Sequence, residues 1–256
     1  MNFPGTPLPI DPLLPDLCAT LAAHGMAVLQ APPGAGKTTR VPLALLDQIT
    51  GRIVMLEPRR LAARAAAERM AETLGEPVGA TVGFRIRGEA KTTNATRIEV
   101  VTEGILTRML QSDPSLEGIG AVIFDEFHER SLNADLGLAL TLEARAALRD
   151  DLALVIMSAT LDAAPVAALL GDAPLLTAKG RAYPVETRWL DAPLPRDTRL
   201  PQATANLITK ALVETDGGVL VFLPGEGEIR RTAAALSGRL PSDVHLHTLF
   251  GAMDFR

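Results

Sequence analysis

Five short apolar runs constrain this chain most: 26–30, 53–57, 97–101, 121–125 and 154–157, with a sixth much later at 219–223. Their cores are nearly continuous rather than alternating, as in strands buried on both faces of a parallel sheet. Helical patterns separate them, over 37–47, 60–74, 103–110, 134–148 and 162–170. This alternation predicts an α/β domain with a doubly wound, mainly parallel sheet.

The chain has 256 residues, 47% hydrophobic and 21% charged, enough to bury a core without disulfide or metal support. Its apolar runs fall far short of the ~20 residues that a spanning helix needs, so no membrane association is expected. The proline-broken N-terminus does not read as a signal peptide. Cys18 is the single cysteine, which points to a reducing cytoplasm. A second unit is expected from about 186, after a domain spanning 1–185. The connector 191–201 is rich in proline and charge. A helix at 202–214, the strand at 219–223, a helix from 226 to about 240 and an apolar run at 244–249 follow. These are too few units for a second closed sheet, so 186–256 is expected to be the first part of a longer domain.

After the first apolar run comes Ala31-Pro32-Pro33-Gly34-Ala35-Gly36-Lys37-Thr38, then a helix. The pattern G-x-x-x-x-G-K-[ST] is met except at Ala31. Gly34 and Gly36 let backbone N–H groups converge on phosphate oxygens, at the positive end of the following helix. Lys37 suits the β/γ-phosphates, and the Thr38 hydroxyl suits Mg²⁺. The fourth apolar run ends in Asp125-Glu126-Phe127-His128. Beside a phosphate loop, Asp125 fits a magnesium-holding carboxylate, in part through water. Glu126 fits the group that orients or deprotonates an attacking water. Ser158-Ala159-Thr160 follows the next run. Its hydroxyls suit contacts to the acidic motif, while Thr160 equally suits a helix N-cap.

The segments GAGKTT, EPRRLAAR (57–64), VTEG (101–104), DEFHER (125–130), SAT (158–160) and VFLPGEGEI (221–229), in this order, resemble superfamily 2 helicases of the DEAH-box type. The spelling DEFH and the EPRRLAAR run resemble most the bacterial HrpB-type group. The resemblance implies a RecA-like P-loop domain followed by the start of a second. It also implies ATP, with other nucleoside triphosphates open, and Mg²⁺ in the cleft. Single-stranded nucleic acid, RNA rather than DNA, would cross both domains. By position, Gly34, Ala35, Gly36, Lys37, Thr38 and Thr39 would hold phosphates and metal. Asp125 and Glu126 would form the hydrolytic pair. His128 would link to the coupling residues Ser158 and Thr160. Arg59, Arg60 and Thr102 would hold the nucleic-acid backbone, and Arg69 would stack on the base of the nucleotide. Phe127 departs from the usual alanine of DEAH. The family's threonine-rich coupling motif and its glutamine/arginine motif with the arginine fingers are not found within 1–256. An ATP-gated clamp or remodeller that separates no duplex shares every motif present. A nucleotide kinase would leave DEFH, SAT and EPRRLAAR unexplained.

The net charge is −5, against bulk electrostatic binding of nucleic acid, yet 52–97 holds nine basic residues against five glutamates. A locally basic groove is one reading of that stretch, with Arg85 and Arg87 as further candidates. A solvated helix face is the other.

Overall fold

A computed structural model of the chain describes residues 6–159, 163–178, 184–195, 197–251 and 253. The chain divides into two compact units between Tyr183 and Pro184.

The first unit is an eight-stranded sheet in the order β4-β3-β5-β2-β6-β7-β1-β8. Its strands are β1 (Met26–Gln30), β2 (Arg52–Leu56), β3 (Val82–Ile86), β4 (Glu89–Lys91), β5 (Ile98–Val101), β6 (Ile119–Phe124), β7 (Ala153–Ser158) and β8 (Leu175–Thr177). Every neighbouring pair is parallel except β3 and β4, which form an antiparallel hairpin at one edge. The helices of this unit are α1 (Leu14–His24), α2 (Lys37–Ala44), α3 (Arg60–Leu74), α4 (Glu103–Ser112), α5 (Leu132–Ala147) and α6 (Ala164–Leu169).

The apolar runs are continuous because their residues divide between two cores. On β1, Ala27 and Leu29 face the core built with α1, α2 and α3, while Val28 faces the one built with α4, α5 and α6. On β6, Ala121 and Ile123 join the first core, and Val122 and Phe124 join the second. This is the predicted doubly wound arrangement, and it is RecA-like. Local chemistry sets the helix ends. Gly25 and Gly75 stop α1 and α3 in the left-handed conformation, at φ 68° and 70°. Ser131 caps α5 by accepting the Ala134 N–H at 2.9 Å, so α5 starts two residues before the expected 134.

Elements absent from the sequence reading are α1, the β3–β4 hairpin and the edge strand β8. β4 and β8 have only three residues each, too short to show a period. The predicted start of the 162–170 helix lies outside the described residues.

In the second unit, α7 (Leu200–Glu214) and α8 (Glu226–Leu236) pack through Ala205, Ile208 and Leu236. The strand expected at 219–223 does not form, and Leu220 and Phe222 are exposed. The 244–249 run likewise forms no strand. A strand needs a hydrogen-bonded neighbour, and the described residues of this unit supply none.

Candidate active site

Parallel register brings the C-terminal ends of β5, β2, β6, β7 and β1 to one edge of the sheet. Leu56 stands beside Val101 and Phe124, and Gln30 beside Ser158. Glu57, Thr102, Asp125, Ala159 and the phosphate loop therefore leave the sheet side by side.

The loop from Ala31 to Lys37 is pinned at several points. Ala31 donates its N–H to the Ser158 carbonyl at 3.0 Å, tying the loop to β7. Ala31 is buried, so the position that departs from the glycine pattern is a packed residue. Gly34 and Gly36 have φ of 75° and 97°, a region closed to most side chains. Lys37 is buried, and its Nζ donates to the Ala31 carbonyl at 2.9 Å, closing the loop across its mouth. Thr38 and Thr39 lie in the first turn of α2, and the Thr39 N–H donates to Gly36.

The loop meets the acidic motif through one bond. Thr38 Oγ1 donates to Asp125 Oδ2 at 2.5 Å, across the intervening strand β7. The other oxygen, Asp125 Oδ1, accepts the Glu126 N–H at 2.8 Å. Burial pushes the Asp125 carboxyl up to about 6, while the Thr38 bond and Lys37 pull the other way. A buried carboxylate beside a hydroxyl is a pair of hard oxygen donors, and a divalent cation would relieve the burial cost of its charge. The two residues thus fit Mg²⁺.

Glu126 and Arg130 are both left-handed non-glycine residues, at φ 49° and 46°, flanking a short 3₁₀ turn at Phe127–Glu129. Two strained residues around three are held by what packs between them. Phe127 is buried in a T-shaped contact with Phe124, ring centres 6.1 Å apart, and the Arg130 guanidinium lies over the Phe127 ring at 5.5 Å. The departure from alanine therefore anchors the turn in the second core. His128 Nδ1 lies 3.3 Å from Glu126 Oε2 and 3.3 Å from the Ala159 N–H. One ring nitrogen serves one of these partners at a time. The Ala159 N–H of the SAT segment is the group that His128 reaches; Ser158 is buried at the end of β7 and Thr160 lies outside the described residues.

Glu57 was missed by sequence reasoning. It is 2% exposed, and burial, with Asp125 and Glu126 nearby, pushes its carboxyl up to about 8. Its signal was its place as the first residue after a strand of the same edge.

The basic residues behave differently from a free groove. Arg59 is ion-paired with Glu129, and Arg60 donates to the Arg87 carbonyl at 3.0 Å. Arg69 is exposed on α3 and paired with Glu72 at 2.5 Å. Thr102 is buried at the N-cap of α4. Arg85, a groove candidate, is instead spent on the fold. It and Arg52 hold the fully buried Glu99 at 2.6 and 2.8 Å. Arg97 donates to the Leu46, Ile49 and Gly51 carbonyls. Much of the excess charge of 52–97 compensates buried acceptors.

A phosphate loop joined through a hydroxyl to a buried carboxylate, on neighbouring strand ends of a RecA-like sheet, defines a P-loop nucleotide-using domain. The chain belongs to the DEAD/DEAH box helicase family, which it matches over residues 16–169. It is 51% identical over 248 residues to the ATP-dependent RNA helicase HrpB of Escherichia coli, covering 96% of this chain and 30% of that protein. The crystal structure of the E. coli DEAH/RHA helicase HrpB superposes with a TM-score of 0.90, over 96% of this chain and 31% of that one. The human ATP-dependent RNA helicase DHX30 is 34% identical over 250 residues, covering 87% of this chain and 21% of that protein. The chain thus spans less than a third of the length of each of these relatives. No helix among the described residues is long and apolar enough to cross a membrane.

Proposed function

We propose that the chain is the nucleotide-binding portion of a cytoplasmic, HrpB-like ATP-dependent RNA helicase, which couples NTP hydrolysis to strand movement and unwinding. The first unit is its first RecA-like domain, and the second unit is the start of the next. The observation that carries this reading is the Thr38–Asp125 bond, which joins two motifs far apart in sequence at one strand edge.

In this reading, the loop and helix start over Gly34–Thr39 cradle the nucleotide's phosphates and Lys37 turns from Ala31 to the β- and γ-phosphates. Thr38 and Asp125 hold Mg²⁺, which when bound neutralises charge on the phosphates. Glu126 orients water and takes its proton. His128 pairs through Nδ1 with either Glu126 or the Ala159 N–H of the SAT segment, so its choice of partner links the two. Arg59, Arg60 and Thr102 lie on the edge where a nucleic-acid backbone would run, and Arg69 serves the nucleotide base.

The test is RNA-stimulated ATP hydrolysis and strand displacement by the full-length protein. Stimulated hydrolysis with displacement supports the helicase. Stimulated hydrolysis without it supports the clamp or remodeller, and absent hydrolysis overturns both.

A further inference from the structure

The segment before α1 reads in sequence as Pro7-Leu8-Pro9-Ile10-Asp11, and no motif claims it. In the structure it lies against the back of the phosphate loop. The Ile10 N–H donates to the Ala35 carbonyl at 3.1 Å, and Ile10 is fully buried. A Cβ built on Gly36 would sit 2.6 Å from Leu8 Cδ1, so Leu8 packs directly on the bare α-carbon. The segment is itself fixed. Prolines 7 and 9 restrict its backbone, the Asp11 N–H closes a turn onto the Leu8 carbonyl at 3.0 Å, and Asp11 Oδ2 accepts the Leu8 N–H at 2.8 Å. Asp11 Oδ1 also lies 3.5 Å from Arg40 Nε, and the Arg40 N–H donates to the Gly36 carbonyl in the first turn of α2.

Peptide planarity turns this packing into a statement about the ligand. In a trans peptide the C=O and the following N–H point in opposite directions, and among the described residues no peptide is cis. With the Ala35 carbonyl held on Ile10, the Gly36 N–H must point away from segment 7–11, toward the open side of the loop. We propose that residues 7–11 are a positioning element for the phosphate loop, which fixes the Ala35–Gly36 peptide so that the Gly36 N–H faces the nucleotide's β-phosphate. The proposal rests on the nucleotide-binding reading and adds Leu8, Ile10 and Asp11 to it as residues that act through the loop without touching the ligand.

The experiment measures affinity for Mg·ADP and for AMP in wild type, Leu8→Ala, Asp11→Ala and Asp11→Asn, with thermal midpoints and the Gly36 amide resonance by NMR. Losing one aligned hydrogen bond to a charged group predicts roughly tenfold weaker Mg·ADP binding in Leu8→Ala and Asp11→Ala. The ADP-over-AMP preference shrinks with it, and the Gly36 resonance moves. Asp11→Asn, which still accepts from Leu8, loses less. An unchanged ADP preference in the alanine variants overturns the proposal, whether binding is intact or falls equally for both ligands. Asp11→Asn keeps the test readable if an alanine variant fails to fold. If wild type shows no ADP preference over AMP, the nucleotide reading itself fails, a different result from wild-type preference with indifferent variants.

Discussion

The Arg59 guanidinium closes onto the Glu129 carboxylate, so the N-cap of α3 is tied to the short turn that carries His128. The sequence reading assigns Arg59 to a nucleic-acid phosphate, and in the structure that arginine already has a carboxylate partner. Arg59 is 66% exposed, and exposed ion pairs contribute only about 0.2–1 kcal/mol. A phosphate can displace Glu129 at small cost. Binding at Arg59 would then free Glu129, the neighbour of His128 in the turn.

Glu129→Gln should therefore tighten single-stranded RNA binding by the full-length protein without nucleotide by about two- to fivefold, the factor that such a pair represents. Arg59→Gln should weaken it, and the two substitutions together should be non-additive. Fluorescence anisotropy on the four proteins checks this. Additive effects, or unchanged affinity in Glu129→Gln, would show that the pair does not compete with RNA.

Lys37→Ala should remove tight nucleotide binding, by at least about tenfold, the loss of a charge-assisted contact. Lys37 is buried with its Nζ at the mouth of the loop. Wild-type affinity by titration calorimetry would remove Lys37 from the phosphate site.

Asp125 and Glu126 are adjacent in sequence but differently surrounded. Asp125 is buried against Thr38, while Glu126 is turned out by its left-handed backbone toward His128. Glu126→Gln should keep nucleotide binding and lower turnover roughly 10²-fold or more, as loss of a general base does. Asp125→Asn should weaken magnesium-dependent binding itself. Equal loss of binding in both variants, measured with and without Mg²⁺, would contradict this division.

The parts of the molecule legible in sequence are those where local chemistry and tertiary structure agree. Continuous apolar runs gave the strands around the site, because burial on both faces leaves no polar alternation to misread. The phosphate loop was legible because Gly34 and Gly36 have few uses other than a left-handed turn. Ion-pair partners were not legible. Arg85 and Arg59 look alike in sequence, yet one holds buried Glu99 and the other exposed Glu129, a difference set by which strand or turn lies opposite. The 219–223 run shows the reverse error, since an apolar pattern specifies a strand only where a neighbour pairs with it.

Glu57 makes a prediction about stability. Its carboxyl is raised from an ordinary value near 4.5 to about 8 by burial, with Asp125 and Glu126 adding like-charge repulsion. Between those values the folded protein holds a proton that the unfolded chain has released. Stability contributed by this group therefore falls as pH rises from 4.5 to 8 and is level above that. At about 1.4 kcal/mol per pH unit the full swing would approach 5 kcal/mol, an upper bound that structural relaxation reduces. Glu57→Gln replaces the protonated carboxyl with a neutral amide of the same shape. Without nucleotide or metal, it should leave urea stability unchanged at pH 4.5 and raise it above wild type at pH 8.5, the gap widening steadily in between. A gap constant across pH 4.5–8.5, or one that narrows toward high pH, would show that Glu57 is ionised in the folded protein despite its burial.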